Sequence, residues 1–233
     1  LSLSVEEIDS LTGPIIGRPK SATFRTCDIV GLDTIYNVAK GVYDNCSEDE
    51  NREVFKLPAY IERMLKEKML GDKTKKGFYK KTIDKQGKRK ILSLDLNEFI
   101  YKEKKKIRFE TISKARKINN LKKRVRILIA GDDKASQFYK KMFAVMFSYV
   151  SNRIPEISDE IYKIDSAMCA GFGWEMGPFE IWDAIGIEKG VELTKSENLS
   201  IPNWLKNLKS SESFYTIEKG EQNYYNPKEN KQQ

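Results

Sequence analysis

The sequence predicts a mainly α-helical protein with two tandem homologous helical domains and a small β-hairpin between them. Three observations support this prediction: a motif recurs after about 155 residues, apolar residues recur at helical spacing along most of the chain, and one glycine-centred segment has the pattern of a hairpin. The predicted boundaries place the first domain at 1–96, a basic helical linker at 97–131, the second domain at 132–209 and a tail or linker at 210–233.

The repeated motif is an Asp, a Gly eight residues later, a Phe, and then an Asp and a Gly at fixed spacing. Its two copies consist of Asp9, Gly17, Phe24, Asp28 and Gly31, and of Asp165, Gly173, Phe179, Asp183 and Gly186. The last three members superpose at an offset of 155 and the first two at 156, so one residue has been lost between them. A repeat this long indicates a duplicated domain, because solenoid units are much shorter.

Capping signals and apolar spacing predict the helices of the first domain. Ser4 and Glu7 have the spacing of a capping box, in which each side chain accepts a hydrogen bond from the other residue's amide, so a short helix is expected to start here. Further helices are predicted at 24–30 with a cap at 21–23, at 33–43, and from Pro58 to Gly71. A glycine-bounded segment then predicts a hairpin that turns at Gln86 and Gly87, the only β-structure expected in this chain.

The linker and the second domain are also predicted to be helical, followed by a polar end. Helices are predicted within 97–120, at 121–129, at 135–153, from Pro155 to Met168, at 187–194 and from Ile201 to Leu205. The helix at 135–153 has an almost continuous apolar face, which predicts a core helix. Residues 210–233 are rich in Ser, Asn, Gln and Lys, and this composition predicts an extended tail.

The composition excludes several classes of site. The chain contains no histidine, so it cannot build a Ser-His or Cys-His nucleophile pair or a histidine metal site. Its three cysteines are widely spaced and form no C-x-x-C pair, which argues against a disulfide framework and against a zinc site. There is neither a secretory signal nor an apolar run near the roughly 20 residues of a membrane-spanning helix. We therefore expect a protein of the reducing cytoplasm, with no metal and no membrane partner.

Positive charge is concentrated in one segment. The net charge is +8, and residues 102–126 contain twelve lysines or arginines against two acids, Glu103 and Glu110. Such a run is typical of a phosphate or nucleic-acid footprint, or of a solvated linker or helix face. The second interpretation is the commoner one, so nucleic acid is not the expected partner.

The two copies of the motif differ in charge at matching positions. Arg18, Lys20 and Arg25 of the first copy stand where the second copy has Gly173, Glu175 and Glu180. An anion site in the first copy, charge complementarity between the copies, and drift of surface residues would each explain this difference.

Longer stretches of the sequence resemble a known family. IDSLTGPIIGRPKSATFRTCDIVGLDT, followed by LPAYIERMLKEKMLGDKTKKGFYKK, resembles the C-terminal helical domain of NAD-dependent 3-hydroxyacyl-CoA dehydrogenases. NRIPEISDEIYKIDSAMCAGFGWEMGPFEIWDAIG resembles the second copy of that domain, found in multifunctional β-oxidation proteins and in dehydrogenases fused to an enoyl-CoA hydratase. The resemblance covers most of the chain, from Ser4 to about Trp204.

The resemblance implies that this chain is one part of an enzyme. In that family a Rossmann domain binds NAD and contributes a catalytic His-Glu pair, while the helical domains close over the acyl-CoA and form a dimer, or a pseudo-dimer when duplicated. The expected function is therefore the substrate-closing and dimerisation portion of an enzyme that oxidises an L-3-hydroxyacyl-CoA to the 3-ketoacyl-CoA in fatty-acid β-oxidation. The NAD-binding domain is expected to be missing here, in agreement with the lack of histidine, and this segment alone is expected to be inactive and to bind no cofactor.

The resemblance also implies where the site residues and partners lie. The family's Asn-Arg pair lies on the helix that opens the first helical domain, and this chain is expected to start after that helix, so we assign no catalytic residue. Asn152 and Arg153 are the pseudo-equivalent pair of the second copy. The candidates for the surface that faces the substrate or the NAD domain are Arg18, Pro19, Lys20, Thr23 and Arg25.

The expected partners are the acyl-CoA together with the missing Rossmann domain, the second copy in an internal pseudo-dimer, a homodimeric partner and a fused enoyl-CoA hydratase. The alternative is a stand-alone basic helical module for protein interaction or nucleic-acid binding, suggested by the run at 102–126.

Overall fold

A computed structural model describes residues 1–105, 107–208, 213–229 and 231–232. The helices in this part of the chain are α1 (Val5–Leu11), α2 (Phe24–Val30), α3 (Leu32–Asn45), α4 (Ala59–Lys66), α5 (Glu110–Ala115), α6 (Leu121–Ala130), α7 (Lys134–Asn152), α8 (Ile161–Phe172), α9 (Pro178–Ile185), α10 (Ile187–Ser196) and α11 (Asn203–Asn207). The strands are β1 (Tyr79–Ile83), β2 (Arg89–Asp95), β3 (Ile100–Glu103), β4 (Tyr215–Glu218), β5 (Glu221–Asn226) and β6 (Lys231–Gln232). The protein is therefore mainly helical, as predicted, with two small antiparallel sheets.

The chain forms two compact units that do not follow the sequence in a simple order. The smaller unit contains residues 2–13 and 20–107, and the larger unit contains residue 1 and residues 14–19 and 108–233. The basic segment at 97–131 is therefore divided, with β3 in the smaller unit and α5 and α6 in the larger one.

In the smaller unit, four helices and one sheet enclose a single apolar core. The predicted capping box starts α1: the Ser4 hydroxyl accepts from the Glu7 amide at 3.3 Å, and the Glu7 carboxylate accepts from the Ser4 amide at 2.7 Å. The buried core residues are Val5, Phe24, Leu32, Ile61, Met64, Met69, Phe78 and Leu94. Because these come from α1 to α4 and from the sheet, the sheet completes the core.

The predicted hairpin provides two strands of a three-stranded sheet. β1 and β2 pair antiparallel around the expected turn, with Tyr79 opposite Ser93, and β3 adds to the other edge of β2. β3 was not predicted because it lies at the start of the basic run. Its Lys102 is neutralised by Asp95 and Glu98, with both Nζ–oxygen distances at 2.6 Å.

The larger unit is organised around α7, whose extent matches the predicted core helix closely. The Asp133 carboxylate caps its first turn by accepting from the Ser136 amide at 3.0 Å. A row of stacked rings then follows its buried face, with centroid separations of 5.9, 5.9 and 4.4 Å, and consists of Tyr139, Phe143, Phe147 and Trp182. This row joins α7 to α9 in the core.

The helix predicted from Pro155 begins later than expected, at Ile161 in α8. Residues 153–157 form turns, and the peptide bond between Ile154 and Pro155 is cis. The Ser158 hydroxyl accepts from the Glu160 amide at 3.1 Å, and this local bond holds the chain in a non-helical turn up to the helix start.

The expectation that 210–233 is an extended tail is wrong, and so is the expectation that the hairpin is the only β-structure. β4, β5 and β6 form a second three-stranded antiparallel sheet, in which Tyr215 pairs with Tyr224. Phe214 and Tyr225 are buried in the larger unit, although the polar composition of this stretch hides them. Residues 210–212, 230 and 233 of the predicted tail lie outside the described residues, as does residue 209 at the end of the predicted second domain.

Candidate functional site

The N-terminus of α2 is held by a carboxylate from α1. Asp9 Oδ1 accepts from the amides of Thr23 and Phe24 at 3.1 and 2.6 Å, and Oδ2 accepts from the Arg25 amide at 3.0 Å and from the Tyr79 hydroxyl at 2.7 Å. The predicted cap at 21–23 is therefore wrong in its chemistry: the Thr23 hydroxyl donates to the Thr12 hydroxyl at 2.8 Å instead. A carboxylate is the stronger cap, because charge-assisted hydrogen bonds exceed those of a hydroxyl.

The larger unit repeats this arrangement at α9. Asp165 accepts from the amides of Phe179 and Glu180, both at 2.9 Å, and from the Tyr215 hydroxyl at 2.8 Å. Gly177 precedes α9, and its amide donates to the Glu180 carboxylate at 2.9 Å. The first aspartate of each copy of the repeat thus caps the helix that contains the second aspartate of that copy.

The second aspartate of each copy also has the same role in both units. Asp28 accepts from the amides of Phe78 and Tyr79, both at 2.8 Å. Asp183 accepts from the amides of Phe214 and Tyr215, at 2.7 and 2.9 Å. Each of these carboxylates fixes the first strand of a sheet to a helix. The Phe-Tyr pairs at 78–79 and 214–215 were visible in the sequence, and they would have identified the second sheet as the counterpart of the first.

Burial dominates the electrostatics of these carboxylates. It raises the pKa of Asp28 and of Asp183 to about 6 and the pKa of Asp165 to about 7, while the hydrogen bonds that they accept act in the opposite direction. Burial and the neighbouring carboxylate raise the pKa of Tyr79 and Tyr215 strongly, so both phenols remain donors at physiological pH.

A cleft of about 520 Å³ opens beside Asp165 in the larger unit. Its walls include Tyr162, Cys169, Glu175 and Tyr224, so it is both acidic and aromatic. Burial raises the pKa of the Cys169 thiol, so this cysteine is not an activated nucleophile. Sequence reasoning missed this cleft, because the unpredicted strand β5 forms one side of it.

Arg18 and Pro19 lie in the larger unit, on a turn that begins with a short 3₁₀ helix at Pro14–Ile16. The Arg18 guanidinium stacks over the Trp174 ring, with its central carbon 3.8 Å from the ring centroid. The Glu175 amide donates to the Gly17 carbonyl at 2.8 Å. Burial lowers the pKa of Arg18 to about 10, which leaves it protonated at neutral pH.

Lys20, Thr23 and Arg25 belong to the smaller unit, so the structure assigns the five candidates to different units. Lys20 is exposed. Arg25 forms a two-bond ion pair with Asp72, at 2.8 and 2.6 Å, and this pair holds the pKa of the Asp72 carboxyl below its usual range. Since the Arg25 charge is already neutralised, Lys20 and Arg18 remain the candidates best suited to bind an anion.

Asn152 and Arg153 make contacts that hold the end of α7. The Asn152 amide group donates to the Ser148 carbonyl at 2.8 Å and to the Ser200 carbonyl and hydroxyl at 3.3 Å. Arg153 pairs with Glu156 at 2.8 Å and lies over the Tyr149 ring. These contacts give the pair a structural role in this unit, and its role as a site remains a prediction.

The family model of the 3-hydroxyacyl-CoA dehydrogenase C-terminal domain matches residues 2–81 and 138–209 of this chain. The chain belongs to this family. The resemblance found in the sequence is thereby confirmed, and the two matched segments contain the two sets of capping aspartates.

Several curated relatives of this dehydrogenase-family chain are much longer proteins. The chain is 42% identical over 223 residues to a probable 3-hydroxyacyl-CoA dehydrogenase of Bacillus subtilis, covering 95% of this chain and 28% of the relative. It is 44% identical over 86 residues to a probable 3-hydroxyacyl-CoA dehydrogenase of Deinococcus radiodurans, covering 37% of this chain and 24% of the relative. A putative fatty acid oxidation complex trifunctional enzyme of Rickettsia felis is 23% identical over 175 residues, covering 75% of this chain and 23% of the relative. The chain therefore spans less than a third of the length of these relatives.

Two further properties of this chain concern its cysteines and the length of its helices. Its three cysteines are all free thiols. None of the helices in the described part of the chain has the length and apolar character needed to cross a membrane.

Proposed function

We propose that this chain is the substrate-closing and dimerisation portion of an NAD-dependent 3-hydroxyacyl-CoA dehydrogenase, which oxidises an L-3-hydroxyacyl-CoA to the 3-ketoacyl-CoA in fatty-acid β-oxidation. The observation that carries the proposal is the match of the family's C-terminal domain to two separate segments of the chain. The names of the Bacillus and Rickettsia relatives support the same reaction class.

The proposal includes a duplication of the helical domain. Its support is the chemical identity of the two capping systems, in which Asp9 and Tyr79 correspond to Asp165 and Tyr215. The two three-stranded sheets support it as well, because each follows its helices and has the same antiparallel order. Independent origin would have to reproduce the same carboxylate-to-tyrosine bond twice.

We propose that NAD and the proton-accepting base belong to another part of a longer protein. Both sheets in the described residues are antiparallel, so neither offers the parallel β-α-β unit that binds a dinucleotide at a helix N-terminus. The chain also contains no histidine. The residues present therefore do not fit NAD, and we assign no proton or hydride transfer to them.

An apolar face in the smaller unit supports this view of a longer protein. In the larger unit α10 packs along α7, and Leu193 of α10 is only 7% exposed. The matching residue of α3 is Val38, which is 61% exposed, and Ile29 on α2 is 55% exposed where its counterpart Ala184 is 2% exposed. We propose that a helix like α7, from a preceding part of the longer protein, covers this face.

The proposed pseudo-dimer is supported by a contact within the larger unit. At the offset of 156 that relates Gly17 to Gly173, residues 17–19 correspond to 173–175, so that Arg18 matches Trp174 and not Gly173 as in the alignment at offset 155. These two stretches touch each other. The Glu175 amide donates to the Gly17 carbonyl, Arg18 stacks on Trp174, and Pro19 approaches Gly173. A segment that packs against its own counterpart is the pattern of an isologous, two-fold interface. A homodimer of the longer protein, a fused enoyl-CoA hydratase and a cytoplasmic location are further parts of this proposal.

A chimera tests the proposal directly. This chain would replace the matching 28% of the Bacillus subtilis relative, and the purified chimera would be assayed for NADH oxidation with a 3-ketoacyl-CoA. We expect turnover from the chimera and none from this chain alone. A chimera that folds but stays inactive, or clear turnover by the isolated chain, would contradict the proposal. The relative with the segment deleted is the control.

The alternative of a nucleic-acid-binding module receives less support from the structure. Several cations of the basic run are engaged within the protein: Lys114 pairs with Glu110 at 2.7 Å, and Arg126 donates to the Ala184 carbonyl. A salt-dependent gel shift with duplex DNA tests this alternative.

A further inference from the structure

The larger unit contains a largely buried arginine with no carboxylate partner. Arg18 takes part in none of the ion pairs among the described residues, and its Nε is buried without a hydrogen-bond acceptor. Stacking on Trp174 compensates part of the cost of burying this charge. A guanidinium in this state would gain more from an anion than an exposed one, because its own hydration has already been lost.

A second arginine, Arg124, holds the turn that bears Arg18 in place. Arg124 donates to the carbonyls of Pro14 and Ile15 at 3.0 and 3.4 Å, and to those of Ile118 and Asn119 at 2.9 and 3.0 Å. It thereby joins the turn that bears Arg18 to the corner between α5 and α6. All of its donor groups contact carbonyl oxygens, so its positive charge is not neutralised by an acid.

The corner between α5 and α6 carries further cations. No Asp or Glu occurs between Glu110 and Asp132. The exposed cations of the corner that form no ion pair with any described residue are Arg116, Lys117, Lys122 and Lys123. Burial raises the pKa of the Tyr139 phenol; the charges of Arg18 and Arg116 lower it, and the charge of Asp133 raises it. Residues 111–131 therefore supply positive charge and no acid of their own, and the acids that interact with this region include Asp133 and, for Lys122, Asp183.

We propose that a phosphate-bearing anion binds at this corner, to Arg18, Arg116 and Lys117 around Arg124. The proposed occupant is the phosphate portion of a CoA thioester. Arginine groups present several parallel donors that match phosphate oxygens. The preference for an anion follows from the charges alone, whereas the choice of CoA rests on the proposed function.

Titration calorimetry with the full 233-residue chain tests the proposal without any enzyme activity. The probes are CoA, dephospho-CoA and inorganic phosphate at low salt. We expect CoA to bind about tenfold more tightly than dephospho-CoA, a difference of about 1.4 kcal/mol, because only CoA carries the phosphomonoester that a guanidinium binds through charge-assisted hydrogen bonds. The affinity for CoA is expected to fall as salt is added.

Three variants locate the site. Arg116→Gln removes an exposed charge and leaves the core intact, so it is the primary variant, and we expect about a tenfold loss of CoA affinity. Arg18→Lys keeps a charge but loses the planar fork, and we expect a similar loss with folding checked by circular dichroism. Lys189→Gln is the matched control, because it removes an exposed cation elsewhere in the larger unit, where Lys189 pairs with Glu192.

Several results would overturn the proposal. These are the absence of CoA binding by the unaltered chain, equal affinity for CoA and dephospho-CoA, or unchanged binding in Arg116→Gln. Duplex DNA that binds more tightly than CoA and is lost in Arg116→Gln would reassign the surface to nucleic acid. The outcome is separate from that of the chimera assay, since a chimera can turn over substrate whether or not this corner contacts CoA.

Discussion

The Tyr215 hydroxyl donates to the Asp165 carboxylate at 2.8 Å across 50 positions of sequence, and the same carboxylate receives the first amides of α9. One side chain thus joins a helix, the start of another helix and the first strand of a sheet. The smaller unit makes the same connection between Tyr79 and Asp9 at 2.7 Å. Removal of either phenol hydroxyl should therefore loosen three elements together.

Tyr215→Phe should lower the free energy of unfolding of the larger unit by about 1–2 kcal/mol, because Asp165 loses one of three donors while it remains buried. Urea unfolding followed by tryptophan fluorescence is the measurement. All three tryptophans (Trp174, Trp182 and Trp204) lie in the larger unit, so their fluorescence reports on that unit. Tyr162→Phe is the control in the same cleft, with an expected change within about 0.5 kcal/mol. Equal effects of the two substitutions would contradict the role assigned to Tyr215.

The unfolding free energy of the larger unit should fall as pH rises from about 5 to about 8. Burial raises the folded-state pKa of Asp165 to about 7 and of Asp183 to about 6, above their unfolded value of 3.8. The folded state therefore binds more protons than the unfolded state. The stability that these groups contribute is fully present below the unfolded pKa and is lost as pH rises through the folded pKa.

Urea titrations at several pH values between 5 and 8 measure this slope. Surface carboxylates with a lowered pKa, such as Asp72, act mainly below this range and should not mask the effect. Asp183→Asn should make the slope shallower, because it removes one of the titrating groups. A stability that rises with pH in the unaltered chain would show that the hydrogen bonds outweigh burial at these carboxylates.

Gly190→Ala and Gly41→Ala should change the free energy of unfolding in opposite directions, although both glycines lie within helices. A methyl group at 190 would overlap the indole of Trp182, which is fully buried and donates to the Ile187 carbonyl at 3.1 Å. We expect a loss of about 1–3 kcal/mol or more. At 41 a methyl group meets open space, so the better helix propensity of Ala should stabilise α3 by up to about 1 kcal/mol. Thermal unfolding of both variants checks the pair, and a tolerated Gly190→Ala would argue against the packing of α10.

Val38→Asp should leave the stability of this chain nearly unchanged and should lower the stability of the chimera with the Bacillus subtilis relative. Val38 is exposed on α3, so we expect a change within about 0.5 kcal/mol in the isolated chain. In the chimera, a covering helix would bury the new charge, and the melting temperature should fall. Leu193→Ala is the reference for a face that is covered in this chain, with an expected cost of about 2–5 kcal/mol. An unchanged chimera would show that nothing covers this face.

The sequence was most informative where the signal is local. The capping box at Ser4 and the extent of α7 depend on residues a few positions apart, and each was found in the structure. The recurring aspartates were found through the repeated motif, and they have the same hydrogen-bonding role in both copies. The second sheet was missed because its apolar residues are few and its order depends on the distant Asp183. The ion pair of Arg25 with Asp72 spans 47 positions, so no periodicity could indicate that the Arg25 charge is already compensated.

Residues 14–19 belong to the larger unit, while the chain on both sides of them belongs to the smaller one. Scission of the protein between residues 107 and 108 would therefore not release two independent bodies. The C-terminal fragment would lack the turn that carries Arg18, and Trp174 would lose its stacking partner. The N-terminal fragment would keep every residue of the smaller unit and should fold alone, whereas the C-terminal fragment should be less stable and should regain stability when the N-terminal fragment is added.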